Sequence, residues 1–175
     1  MEDKTLIIYA SPKSGSFTEK LLISEVGSLS LYPVFDCFKE LPLPCNDCGY
    51  CKTKNGCSKS DLDRFFLDFE KAEKIVIAFP VYNSSVPAPL KALLDRFQRF
   101  FSARFLRGIK PPMDGKREVT LIITSGSDKD LLEDILKQIT PIFTISGCTL
   151  KKCITLKSTD KLSKDGILTP KTYNF

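Results

Sequence analysis

The sequence contains no histidine and no tryptophan. Without histidine there is no Ser-His-Asp or Cys-His catalysis, no imidazole base and no His-ligated metal. Long hydrophobic runs are also missing. The longest apolar stretch, Ile75 to Tyr82, is far too short to span a bilayer, so no membrane partner is expected. No basic segment leads into an apolar one after Met1-Glu2-Asp3-Lys4, so no secretory signal is read there and a cytoplasmic location is expected. There is no internal repeat and no RNA-binding or helix-turn-helix signature. The net charge of +5, from 26 Lys+Arg against 21 Asp+Glu, reads as a solvated surface rather than a nucleic-acid partner.

What is present is an ordinary globular mix, 42% hydrophobic and 27% charged. At roughly 150 residues per domain, 175 residues predict one domain over 1–175, with a cysteine-rich insert at about 39–59 and a short polar tail at about 156–175. Seven cysteines carry the soft-ligand chemistry. In a reducing compartment they are thiols, metal ligands or redox centres, and an odd number leaves one outside any full disulfide framework.

Strand and helix patterns alternate. Thr5–Ala10 is a continuous apolar run, as in a strand buried on both faces. Thr18 to Val26 reads as a helix. Leu31–Phe35 reads as a strand at a sheet edge, because Pro33 cannot donate to a ladder. Leu62, Phe65, Phe66 and Phe69 fall at i, i+3, i+4 and i+7 behind Ser60 as N-cap. Lys74–Phe79 is a strand, and Leu90, Leu93, Leu94 and Phe97 mark a helix. Phe101–Lys116, with Pro111-Pro112 and Asp114-Gly115, reads as irregular. Val119–Thr124 is a strand, Asp128 to about Phe143 a helix that Pro141 ends or kinks, and Thr149–Thr155 a fifth strand. Five strands alternating with four helices predict a parallel sheet covered on both faces, with ligands bound at the carboxyl ends of the strands.

Three loops leave those ends. Ser11-Pro12-Lys13-Ser14-Gly15-Ser16-Phe17-Thr18 sets hydroxyls, a lysine and a glycine at a helix N-terminus, the make-up of a phosphate cradle. It lacks the Gly-Lys-Ser/Thr ending of a Walker A loop, and a plain polar turn with Ser16 as N-cap is the alternative. Pro80-Val81-Tyr82-Asn83-Ser84-Ser85 offers an aromatic and several amides to a flat heteroaromatic ring, although Tyr82 also suits a core. Thr124-Ser125-Gly126-Ser127 lets backbone approach a ligand closely.

Cys45, Cys48, Cys51 and Cys57 form a C-x2-C-x2-C-x5-C run. Such compact spacing suits an iron–sulfur cluster, as in bacterial ferredoxin runs. Structural zinc, a Cys48/Cys51 redox dithiol and incidental thiols in a lysine-rich loop are the other readings. Cys37, Cys148 and Cys153 read as small buried hydrophobes. Lys91, Arg96, Arg99, Arg104, Arg107, Lys110, Lys116 and Arg117 interleave with Phe97, Phe100, Phe101 and Phe105. They read as a docking face for an acidic donor or a phosphorylated substrate, or as a helix with one solvated side.

At these residues the chain resembles the flavodoxin-like NADPH-dependent FMN reductase superfamily, and within it the iron-sulfur flavoprotein branch. The resemblance runs from about Leu6 to Thr124. It rests on Ala10–Thr18, Pro44-Cys45 through Cys57, Ser60-Asp61, Pro80-Val81-Tyr82, Pro89-Leu90-Lys91, Leu94-Asp95-Arg96 and Asp114-Gly115-Lys116. It implies a three-layer α/β sandwich with a five-stranded parallel sheet in order 2-1-3-4-5 and a cysteine-rich loop after strand two. It implies FMN, with Ser11, Lys13, Ser16, Phe17 (by its backbone) and Thr18 on the phosphate. Pro80, Val81, Tyr82, Asn83, Ser84 and Ser85 would line the flavin, with Ser125 and Gly126 on its other side. The branch also implies a 4Fe-4S cluster on Cys45, Cys48, Cys51 and Cys57, and a homodimer or homotetramer.

Three departures stand out. Ala10-Ser11-Pro12-Lys13 replaces Gly-Ser-Pro-Arg, which removes a bidentate fork. Phe17 replaces a small polar residue. The tail lacks a final helix. The expected function is an FMN-dependent oxidoreductase exchanging electrons with the cluster, fed by NADPH or a ferredoxin-like donor, with no catalytic acid or base among the side chains. An NAD(P)H-dependent FMN or quinone reductase without a cluster, a non-enzymatic electron carrier and a zinc-stapled interaction module are the alternatives.

Overall fold

The computed structural model describes residues 4–110, 116–163 and 168–175. The elements run β1 (Thr5–Tyr9), α1 (Phe17–Val26), β2 (Val34–Asp36), α2 (Cys37–Glu40), α3 (Tyr50–Thr53), α4 (Asp63–Lys71), β3 (Lys74–Pro80), α5 (Ala88–Asp95), α6 (Gln98–Phe105), β4 (Arg117–Thr124), α7 (Leu132–Ile145), β5 (Cys148–Leu156) and β6 (Lys171–Asn174). No helix among the described residues is long and apolar enough to cross a membrane.

The sheet order is β2-β1-β3-β4-β5-β6. The first five strands are parallel, in the expected 2-1-3-4-5 order. The count of five needs correcting, because β6 joins as a sixth strand, antiparallel to β5, with Cys153 opposite Tyr173 and Ile154 opposite Thr172. Lys-Thr-Tyr-Asn is too short and too polar to announce itself, and only Tyr173 reaches the core. Strand two also starts later than expected. Leu29–Leu31 is a 3-10 turn, and β2 opens at Val34. Pro33 sits at that edge as its chemistry demands, accepting through its carbonyl from the Ile7 amide at 3.0 Å.

Alternation along the strands builds two apolar layers. On one face Leu6, Ile8, Ile75, Ile77, Phe79, Leu121 and Ile123 pack against α4, α5, α6 and α7. Phe65, Phe66, Phe69, Phe97 and Phe100 form a continuous aromatic cluster there, with ring centroids 5.0 to 6.3 Å apart. On the other face Ile7, Tyr9, Val76, Ala78, Ile122, Ile154 and Leu156 pack under Leu21 and Leu22 of α1, with Leu29, Tyr32, Leu162 and Leu168 alongside. On that face Lys152 of β5 reaches Glu25 of α1 at 2.8 Å, a partly buried ion pair between sheet and helix. The tail supplies a 3-10 turn at Thr159–Lys161 and β6.

Several element ends differ from the sequence reading. Ser60 does not cap α4. The cap position is Leu62, and Ser60 instead accepts through its carbonyl from Asp63 N at 3.0 Å. The far end of α4 is held by buried Arg117, which donates to the Phe69 and Glu70 carbonyls at 2.9 and 2.8 Å. Phe101 belongs to α6 rather than to an irregular segment, because burial of Phe100, Ser102 and Ala103 carries the helix to Phe105. Pro111-Pro112 and Asp114-Gly115 lie outside the described residues. Helix α7 starts at Leu132 rather than Asp128 and passes through Pro141, since burial of Ile139 and Phe143 on either side outweighs one lost hydrogen bond.

Candidate functional site

Because β1, β3 and β4 are parallel neighbours, the loops that leave them emerge side by side at one edge of the sheet. Backbone bonds continue past the strand ends: Ala10 N to Ala78 O at 2.9 Å, Val81 N to Thr124 O at 2.7 Å, and Ser125 N to Leu156 O at 2.9 Å. The edge is therefore a rigid base for its loops.

In the first loop Ser16 is the N-cap of α1, accepting from Glu19 N at 3.2 Å. Its hydroxyl also meets Ser11 Oγ at 3.2 Å and Tyr9 Oη at 3.4 Å, and Tyr9 donates to Lys13 O at 3.3 Å. Lys13 is exposed and Phe17 half-buried under Lys20. Thr18 is 2% exposed, and its hydroxyl is engaged with Thr124 Oγ1 at 2.7 Å. Gly15 lies at φ 66, and a Cβ there would meet nothing, so the loop is open on that side. The Gly15 amide donates to the Glu19 carboxylate. The cradle thus already holds an anion, and the chain supplies it. Sequence reasoning passed over Glu19, although Ser16-x-x-Glu19 has capping-box spacing.

The second loop is a tight reversal. Tyr82 and Ser85 exchange both backbone bonds at 3.0 Å, and Asn83 and Ser84 sit at φ 51 and 59, a type I′ geometry. Ser85 donates to Gln138 Oε1 of α7 at 2.7 Å, and Gln138 Nε2 returns a bond to Ser84 O at 3.4 Å. Tyr82 is exposed, so it stands over the edge rather than in the core. In the third loop the tail comes back over the chain. Ser158 N donates to Ser127 O at 2.9 Å and Thr159 N to Ser125 O at 3.0 Å. A Cβ at Gly126 would crowd the Asp160 carboxylate, so a larger residue there has to push that exposed side chain aside. This fourth loop, after β5, had no signal in its polar sequence. Behind it Lys157 pairs with Asp130 at 3.3 Å, and little free space remains between Val81, Ser125, Leu132 and Leu156. A planar ligand at this edge has room over the loops, not beneath them.

The cysteine-bearing segment leaves β2 at the same edge and packs on α5 and α6. Its base is stitched shut by Arg96. The guanidinium donates to Leu43 O (2.9 Å) and Lys59 O (3.0 Å) and pairs with Asp61 at 2.9 Å. Asp61 in turn accepts from Leu43 N at 3.0 Å. Burial works against the Asp61 charge, but the Leu43 amide and Arg96 outweigh it and hold the carboxyl below its usual range. This joins Ser60-Asp61 to Leu94-Asp95-Arg96, two motifs that sequence could name but not connect.

The four cysteines themselves are not gathered. Cys48 Sγ lies 3.1 Å from Ser58 Oγ, and Cys51 Sγ lies 3.4 Å from the buried Ser102 hydroxyl. Among the described residues no three His, Cys, Asp or Glu side chains come together as a metal-ligand set. The hydrogen bond with Ser58, then the Tyr50 amide, lowers the exposed Cys48 thiol pKa. Burial does the opposite elsewhere, pushing Cys37 and Cys153 up to about 12 and raising Cys148. These three are packing residues, as their sequence context predicted.

The model of the NADPH-dependent FMN reductase family matches residues 4–154. The chain belongs to that family. Among its relatives, an iron-sulfur flavoprotein of Methanosarcina thermophila is 33% identical over 95 residues, covering 51% of this chain and 49% of that protein. The match therefore spans about half the length of that relative. Solved structures share the fold across nearly the whole chain. An NAD(P)H:quinone oxidoreductase from Methanothermobacter marburgensis superposes with a TM-score of 0.68 at 16% identity, over 92% of this chain and 86% of that one. An FMN-dependent NADH-azoreductase from Bacillus anthracis, in complex with FMN, gives 0.65 at 19% identity, over 91% and 90%. Family membership covers β1 through most of β5, and so all three loops of the edge; β6 falls outside it.

Proposed function

We propose that the protein is an FMN-dependent oxidoreductase that takes electrons from NADPH or a ferredoxin-like donor. The observation that carries this reading is the Ser11–Thr18 loop. It stands between β1 and α1 of a family fold, and its Gly15 amide already holds a carboxylate. Its donor set fits a phosphate: exposed Lys13, the Ser11 and Ser16 hydroxyls 3.2 Å apart, and the N-terminus of α1. Lys13 supplies charge, Ser11 and Ser16 supply hydroxyls, and the Phe17 and Thr18 amides sit in the first turn. The Thr18 side chain braces the loop against β4 instead.

FMN, when bound, supplies the electron-accepting chemistry. The residues Pro80, Val81, Tyr82, Asn83, Ser84 and Ser85 orient the ring, with the Asn83–Ser84 reversal presenting backbone polar groups. Ser125 and Gly126 close the other side, Gly126 with Asp160 at its back. The assembly proposed is a homodimer or homotetramer.

Bound iron is the finer reading. It is favoured by the spacing of Cys45, Cys48, Cys51 and Cys57 and by the name of the Methanosarcina relative. One experiment tests both readings: anaerobic purification, a visible spectrum, and iron, sulfide and zinc analysis. Resolved flavin bands that bleach with NADPH or dithionite are expected. A protein that neither carries FMN nor takes it up on titration refutes the function.

A further inference from the structure

The Glu19 carboxylate is in an unusual place for a loop that receives a phosphate. It lies in the first turn of α1, three residues beyond the Ser16 cap, and accepts from the Gly15 amide. The surroundings of Gly15 are open, since a Cβ there would touch nothing within 4 Å, and its amide is a donor of the kind a phosphate takes. Two further features of the loop withdraw support from a phosphate. Lys13 brings a point charge in place of a fork, and Phe17 turns its side chain toward the apolar layer under α1 and offers only its amide.

Resting on the FMN reading, we infer that Glu19 is a built-in competitor for the flavin phosphate, and that the chain consequently holds FMN as an exchangeable ligand. Phosphate entry requires the carboxylate to give up the Gly15 amide and swing into solvent. Once displaced it still sits within one helical turn of the incoming dianion and repels it. In the free protein the same carboxylate satisfies the amide, so the loop keeps its shape without flavin. Both effects depend on the phosphate and neither touches the ring. Riboflavin, which has the ring and no phosphate, is therefore insensitive to Glu19.

The test is a two-by-two comparison. Dissociation constants for FMN and riboflavin are read from flavin fluorescence quenching, in the wild-type protein and in Glu19→Gln. Glutamine keeps the length and an acceptor oxygen for Gly15, and thermal melting of both proteins checks that the fold is retained. The expected result is FMN binding about tenfold tighter in the variant, with riboflavin changed by less than about twofold. Inorganic phosphate, titrated against the amide NMR signal of Gly15, should gain in the same direction. Equal FMN affinity in the two proteins overturns the inference, as does a riboflavin gain as large as that of FMN. If wild type and variant bind neither flavin, the FMN reading itself falls and takes the inference with it.

Discussion

Replacing Asp61 by Asn should loosen the base of the cysteine-bearing segment without touching the loops that follow β1, β3 and β4. The Arg96 side chain is 1% exposed and the Asp61 side chain 24%. Removing one partner of a fully buried pair costs about 3–5 kcal/mol. Here Asp61 reaches water, Arg96 keeps its bonds to Leu43 O and Lys59 O, and Asn still offers an acceptor. The loss should therefore be smaller, about 2 kcal/mol. For a chain of this size that lowers Tm by roughly 4–8 °C. Urea unfolding with an unchanged slope gives the free energy directly.

The pH dependence supplies a second check. Asp61 has a folded-state pKa below its ordinary value of 3.8. Its contribution is fully present above the unfolded pKa and disappears as pH falls through the folded one. Wild type and Asp61→Asn should thus differ at pH 7 and converge in acid, below pH 3.8. A loss under about 0.5 kcal/mol at pH 7, or a gap that persists in acid, would show that the pair does not close the segment.

Cys48→Ser should abolish any bound iron while leaving flavin uptake intact; stoichiometric iron in that variant removes Cys48 from the ligand set. Lys13→Arg should tighten FMN a few-fold, since a fork replaces a point charge, and fluorescence titration reads it. With iodoacetamide at neutral pH, Cys48 should label fastest by peptide mass spectrometry, whereas Cys37 and Cys153 should label only after unfolding. The same burial makes stability fall as pH rises from 9 toward 12, because the unfolded chain ionises these two thiols there and the folded chain does not. Chemical denaturation in Cys153→Ala should show a weaker alkaline decline.

What could be read from sequence followed the strength of each local signal. Buried parallel strands such as Thr5–Tyr9 are mostly apolar runs, and Pro33 marks an edge by its missing N–H. The three loops were found because they punctuate such runs. What escaped depends on pairings distant in sequence. Arg96 and Asp61 are 35 residues apart, and no periodicity links a guanidinium on one helix to the base of an earlier loop. Strand β6 takes its register from β5, not from any preference of Lys-Thr-Tyr-Asn. Asp160 closes on Gly126 only because the tail folds back after β5. Glu19 had a recognisable spacing, but its meaning depends on which amide it meets.

The two margins of the sheet bear on how copies of the chain can associate. One margin is β2, three residues long and preceded by Pro33. The other is β6, four residues with Lys171 at its start and exposed Thr172 and Asn174. Short, charged or proline-flanked borders are poor templates for an incoming strand. Strand-by-strand growth into a continuous intermolecular sheet is therefore discouraged at both sides, so contacts between copies are left to helix and loop surfaces.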